Sequence, residues 1–175
     1  MNNILMSVLA IILNLSSGSE FESKEVSFKK LPKECVEVYD KDIREWRNVE
    51  TTEVIEIDLD KDKINELLIF NGENGSGGEG WAVMQKNNGK YRKVGEIFGV
   101  LYRVESGLLV EKPCGWNYAD WTYHELIKGV LVEKVDINVE YQQPIRNAVS
   151  VITIKEMRDE KGVAKEISFG VPEAL

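Results

Sequence analysis

Charge is missing from the start of this chain: residues 1–19 contain no Lys, Arg, Asp or Glu, although these make up 30% of the whole. Basic residues are under-represented, 22 against 30 acidic, and the net charge is −8. Phosphate backbones and anionic lipid surfaces demand a basic patch. The basic residues here are scattered, so a nucleic-acid or anionic-membrane partner is excluded from the expectations. Histidine occurs once and cysteine twice, which leaves a structural zinc site short of ligands unless carboxylates join it. There is no Gly-x-Ser-x-Gly and no His-Glu-x-x-His. After residue 50 no stretch has helical periodicity, and none is apolar for long enough to span a bilayer.

The uncharged start has a positive reading. Ile4 to Leu15 is a nearly unbroken apolar run, and Ser17-Gly18-Ser19 follows it as a small-residue exit. That order is the pattern of a secretory signal peptide. The run is shorter than the roughly 18–20 residues that cross a bilayer. The expected organisation is a signal peptide over 1–19, then a single β-rich domain over 20–175. The expected location is periplasmic or extracellular, with no membrane insertion once the signal is removed. In such a compartment Cys35 and Cys114 are expected to pair as a disulfide.

Residues 20–175 read as mainly β. Val26 to Leu31 alternates like a strand, and Pro32 opens an expected helix reaching about Trp46, since proline suits the first helical turn. From residue 52 onward the period is two. Val54–Ile57, Leu67–Phe70, Trp81–Gln85, Tyr91–Val94, Glu96–Val104 and Leu108–Glu111 read as strands. So do Trp121–Ile127, Val130–Glu133, Ala148–Lys155 and Ala164–Phe169. Asn87-Asn88-Gly89, Ser106-Gly107, Lys128-Gly129 and Asp159–Gly162 separate them as turns. This spacing predicts an antiparallel meander, sandwich-like or propeller-blade-like, with one short N-terminal helical segment.

Between two of these strands lies Asp58-Leu59-Asp60-Lys61-Asp62-Lys63-Ile64-Asn65-Glu66. Asp58, Asp60 and Asp62 occupy positions one, three and five of a calcium loop. The carbonyl of Ile64 falls at position seven and Glu66 at position nine. Calcium takes six to eight hard oxygens at about 2.3–2.6 Å, which alternate acids plus a backbone carbonyl begin to supply. Position six, where a sharp turn favours glycine, is Lys63. Two readings stay open: a calcium site, or a metal-free turn whose Asp side chains cap backbone amides.

The run Asp58 to Phe70 resembles the Asp-x-Asp-x-Asp-Gly loops of FG-GAP and VCBS-like repeats in exported bacterial proteins. The likeness continues through the Gly-rich turn, the aromatic strand and the Gly89-Lys90-Tyr91 hairpin, over about residues 52–98. It implies a β-rich exported domain that binds calcium, and it brings no catalytic residues.

Cys114 to His124 concentrates aromatics: Trp116, Tyr118, Trp121 and Tyr123. Aromatics at one strand face can stack on sugars or anchor a protein contact. These four form the candidate recognition surface, for a protein or carbohydrate partner. The expected function is a non-catalytic binding or interaction module, of the envelope-inhibitor or immunity type or ligand-binding. The competing class is a secreted or periplasmic hydrolase using carboxylates or His124.

Overall fold

The computed structural model describes residues 21–39, 48–73, 79–103, 107–114, 118–141, 149–157 and 167–170. The expected signal peptide over 1–19 lies outside the described residues. The first strands are β1 (Lys24–Ser27), β2 (Thr51–Ile57), β3 (Glu66–Glu73), β4 (Glu79–Asn87) and β5 (Lys90–Phe98). They form one sheet in the order β1-β2-β3-β4-β5. The second sheet holds β6 (Val100–Arg103), β7 (Leu108–Pro113), β8 (Tyr118–Ile127), β9 (Val130–Tyr141), β10 (Val149–Met157) and β11 (Ile167–Gly170). Its order is β11-β10-β9-β8-β7-β6. Every neighbour in either sheet is also a neighbour in sequence, and every pairing is antiparallel. The fold is therefore mainly β, two open antiparallel meanders.

Turn chemistry sets the hairpins. Asn88 and Gly89 join β4 to β5 with φ of 49° and 81°. Lys128 and Gly129 join β8 to β9 with φ of 51° and 74°. Two successive positive φ values match the right-handed twist of the flanking strands.

The two sheets face each other across a shared core. Ile55, Ile57, Leu68, Trp81, Val83 and Ile97 from the first sheet meet Leu101, Leu108, Val110 and Leu126 from the second. This is the sandwich-like form of the expectation. The first sheet is buried on its other face too, where Val54, Ile69 and Met84 pack with Cys35. Burial on both faces explains why Leu67–Phe70 and Trp81–Met84 read as continuous apolar runs.

A single residue, Gly99, links β5 to β6 and so carries the chain from one sheet to the other. Its φ is +136°, and a Cβ there would lie 2.3 Å from the Glu111 carbonyl oxygen. Gly99→Ala should therefore lose about 2 kcal/mol in urea unfolding, since both backbone and neighbour must shift. A stability equal to that of the native chain would show that the crossover is looser than this contact implies.

The N-terminal segment departs from expectation. The strand stops at Ser27, and Phe28–Lys30 form a 3-10 turn instead of more strand. Phe28 folds inward and meets Tyr39 edge-on, ring centroids 5.4 Å apart. Of the helix expected from Pro32 to about Trp46, the described residues contain α1, Lys33–Val36, with Pro32 as its N-cap. Its Cys35 packs on the first sheet, so tertiary contact holds one turn where propensity alone suggested a longer helix. Residues 40–47 lie outside the described residues.

The expected disulfide is not formed: both cysteines are free. Cys35 is buried on the face of the first sheet that points away from the shared core. Cys114 is exposed just after β7, in the region of the second sheet, and its thiol donates to the Lys112 carbonyl at 3.1 Å and Asp120 Oδ2 at 3.2 Å. A sheet and a core stand between them. Burial, and then the Glu34 carboxylate, pushes the Cys35 thiol up to about 11.

A carboxylate cluster between β2 and β3

The acidic loop connects β2 to β3, and Leu59 pins it by burying its side chain in the shared core. Around that anchor the backbone makes a tight reversal. Lys61 and Lys63 both adopt positive φ, 63° and 70°. Lys63 thus takes the conformation for which glycine is the ordinary choice, at a cost on the order of 1 kcal/mol.

The acids divide into two roles. Asp62 Oδ1 accepts the Ile64 N–H at 2.7 Å, and Asp58 Oδ2 accepts the Lys63 N–H at 2.9 Å. Asp60 Oδ1 accepts the Asp62 N–H at 3.3 Å. These are the amide caps expected of a metal-free turn. Asp58, Asp60 and Glu66, however, also converge, with carboxylate oxygens within 4.8 Å of one another. Of the expected ligand set, Asp62 stands outside this cluster. Ile64 spends its N–H on Asp62 and leaves its side chain 47% exposed.

Glu66 carries a buried oxygen that turn capping does not use. It is the first residue of β3, in register with Ile57, and only 1% exposed. Its Oε2 accepts the Leu59 N–H at 2.9 Å, while Oε1 is buried with no partner. Asp58 Oδ1 is likewise buried and unpartnered. Burial is the largest influence on the Glu66 carboxyl and raises its pKa; the Leu59 N–H opposes this, and Asp60 and Asp62 add to it. For Asp60 the upward shift comes first from desolvation and then from Asp62. An unpaired buried carboxylate costs several kcal/mol unless a cation or donor answers it.

The donor set suits a hard divalent cation. A separation of 4.8 Å is about twice a calcium–oxygen bond, so oxygens this far apart can lie on opposite sides of one ion. All three side chains offer carboxylate oxygen, the ligand type preferred by calcium, magnesium and manganese over softer metals. One neighbour escaped sequence reasoning. Gln85 on β4 donates from Nε2 to Asp60 Oδ2 at 3.1 Å. Only the sheet brings it there.

The aromatic candidates are not brought together on a surface. Tyr118 is exposed at the start of β8, but Trp121 and Tyr123 are 0% and 1% exposed. They share a strand face, as their parity requires, and that face is apolar: Tyr123 registers with Leu109 and Trp121 with Ile137, both buried. Trp121 packs on Tyr102, ring centroids 5.1 Å apart. Trp116 lies outside the described residues. Of the four expected residues, Trp121 and Tyr123 are therefore not on a surface, and Tyr118 is the one that is exposed among the described residues.

His124 is buried, its Nε2 2.9 Å from Thr122 Oγ1. Desolvation, with a smaller push from Lys112, lowers its pKa to about 4. Asp120 accepts from Asn138 and Cys114, and Glu125 accepts from Tyr123, so the acids beside His124 in sequence are engaged elsewhere. A general base needs contact with a substrate proton, and this ring faces the interior.

No family model, curated protein or solved structure matches the chain.

Proposed function

We propose that this chain is an exported, non-catalytic binding or interaction module whose loop from Asp58 to Glu66 is stabilised by calcium. One observation carries the ion: Glu66, 1% exposed with an unpartnered Oε1, meets Asp58 and Asp60 in one cluster. A divalent cation answers that buried charge with the chemistry the oxygens present. Asp58, Asp60 and Glu66 would hold it. Calcium supplies charge neutralisation there, tying the end of β2 to the start of β3. Outside the cell even weak sites, with dissociation constants of about 10⁻⁴–10⁻³ M, fill with calcium.

The module reading draws on different features. The acidic balance suits a basic partner, protein or carbohydrate-bearing. Exposed large apolar side chains among the described residues include Ile64 on the acidic loop, and Ile127 and Val130 beside the Lys128-Gly129 turn. Loops and hairpin tips on a rigid sandwich are common places for contact.

Thermal melts test the ion. Millimolar calcium should raise the melting temperature of the native chain, and Asp60→Ala should abolish that rise. A melt unchanged by calcium would leave the metal-free turn as the better account. Affinity capture from envelope extract, with and without chelator, then tests whether a partner depends on the loaded loop.

A further inference from the structure

Calcium takes six to eight oxygens, and the loop brings three carboxylate side chains together. The next side chain touching the cluster comes from another strand. Gln85 sits on β4, cross-strand from Arg92 on β5. Its amide lies between two parts of the molecule. On one side Nε2 donates to Asp60 Oδ2 at 3.1 Å. On the other, Oε1 lies so near the β8–β9 hairpin that a Cβ at Gly129 would come within 3.0 Å of it. Arg92 holds the same hairpin, with Nη2 donating to the Gly129 carbonyl at 3.0 Å. Gly129 has φ +74°, and its missing side chain leaves the room both contacts use.

We propose that Gln85 is a fourth side-chain ligand of the loop cation, and that its amide turns on occupancy so that the β8–β9 hairpin senses the ion. This rests on the cation reading above. An amide presents a donor on one side and an acceptor on the other, and a half-turn exchanges them. Without a cation the Asp60 carboxylate calls for a donor, and the NH2 group faces it. With a dication among Asp58, Asp60 and Glu66, an N–H aimed at the site is repelled and a carbonyl oxygen is attracted. The half-turn then directs the NH2 group to the Gly129 side. The carbonyl of Gly129 holds one bond from Arg92 and has a second lone pair to offer. The loop of the first sheet and the hairpin of the second are thereby fastened by the same event.

Calorimetric titration of the whole chain with calcium tests this, using Gln85→Met (no oxygen) and Gln85→Glu (an oxygen with charge). Hydrogen exchange of the hairpin amides, 127–130, is read with calcium and with chelator. Gln85→Met should weaken binding about tenfold or more, and Gln85→Glu should bind more tightly than the native chain. Calcium should slow hairpin exchange in the native chain and not in Gln85→Met. Equal affinity in Gln85→Met and the native chain would overturn the ligand role. Weakening in both variants, with hairpin exchange in the native chain indifferent to calcium, would reduce Gln85 to packing and also overturn it. A native chain that binds no calcium would overturn the cation reading itself. Melts of the variants in chelator show whether each is folded.

Discussion

Glu66→Gln should melt higher than the native chain in chelator and gain nothing from calcium. The amide oxygen of glutamine can still accept the Leu59 N–H that Glu66 accepts at 2.9 Å. Shape and volume are nearly kept. What disappears is a charge in a side chain only 1% exposed, next to Asp58 and Asp60. The new NH2 group can donate to those acids, so an electrostatic conflict becomes a hydrogen bond. In calcium the ranking reverses. An ion at a hundredfold excess over its dissociation constant contributes about 2.7 kcal/mol, and the glutamine variant forfeits it. The same variant has a pH signature. The Glu66 pKa is raised by burial, so the folded native chain binds its proton more readily than the unfolded chain does. That stabilising difference is fully present below the ordinary glutamate pKa and is lost as pH rises through the raised folded value. Glu66→Gln should lack this component in chelator. A variant that melts lower than the native chain in chelator, and still rises with calcium, would place the ion elsewhere.

Acid should destabilise the native chain through His124. Its pKa falls from 6.5 to about 4, chiefly by burial. A depressed folded pKa means that the unfolded chain binds the proton first. Stability is therefore full above the unfolded value of 6.5 and is lost as pH falls toward about 4. The loss over that window is roughly 3 kcal/mol, from the shift at 1.36 kcal/mol per unit. Carboxylates titrate in the same range, so the measurement is a difference. Urea unfolding of the native chain and of His124→Gln is followed from pH 7 to pH 4, and the gap between them should close by that amount. A constant gap would mean that the ring is hydrated and protonates in the folded state. The same burial that produces this acid sensitivity takes His124 out of reach as a general base.

Much of the architecture was legible because its causes are local. Asn88-Gly89 and Lys128-Gly129 mark hairpins through backbone conformation, and β4–β5 and β8–β9 turn at them. Period-two runs mark strands, and all eleven described strands overlap segments whose sequence reads as extended; for β1 the overlap is only Val26-Ser27. The spacing of the acids in the loop singled out Asp58, Asp60 and Glu66, which do converge. Asp62 has the same spacing and is not among the three that converge; its Oδ1 accepts the Ile64 N–H at 2.7 Å. Spacing counts positions; it does not choose which amide a short side chain will cap.

The chain's order of residues therefore determined the strands after residue 50, the antiparallel meander and the place of the acidic loop, since each depends on residues adjacent or nearly so. Tertiary structure decided which faces meet. Trp121 and Tyr123 alternate as a surface pair would, yet the face they share is buried. Cys35 and Cys114 have the number and context for a bridge, yet a sheet separates them. Gln85 has no sequence relation to Asp60, and only the pairing of β3 with β4 sets it against the loop. Burial and long-range proximity are properties of packed layers, and a local pattern carries no record of which layer will cover it.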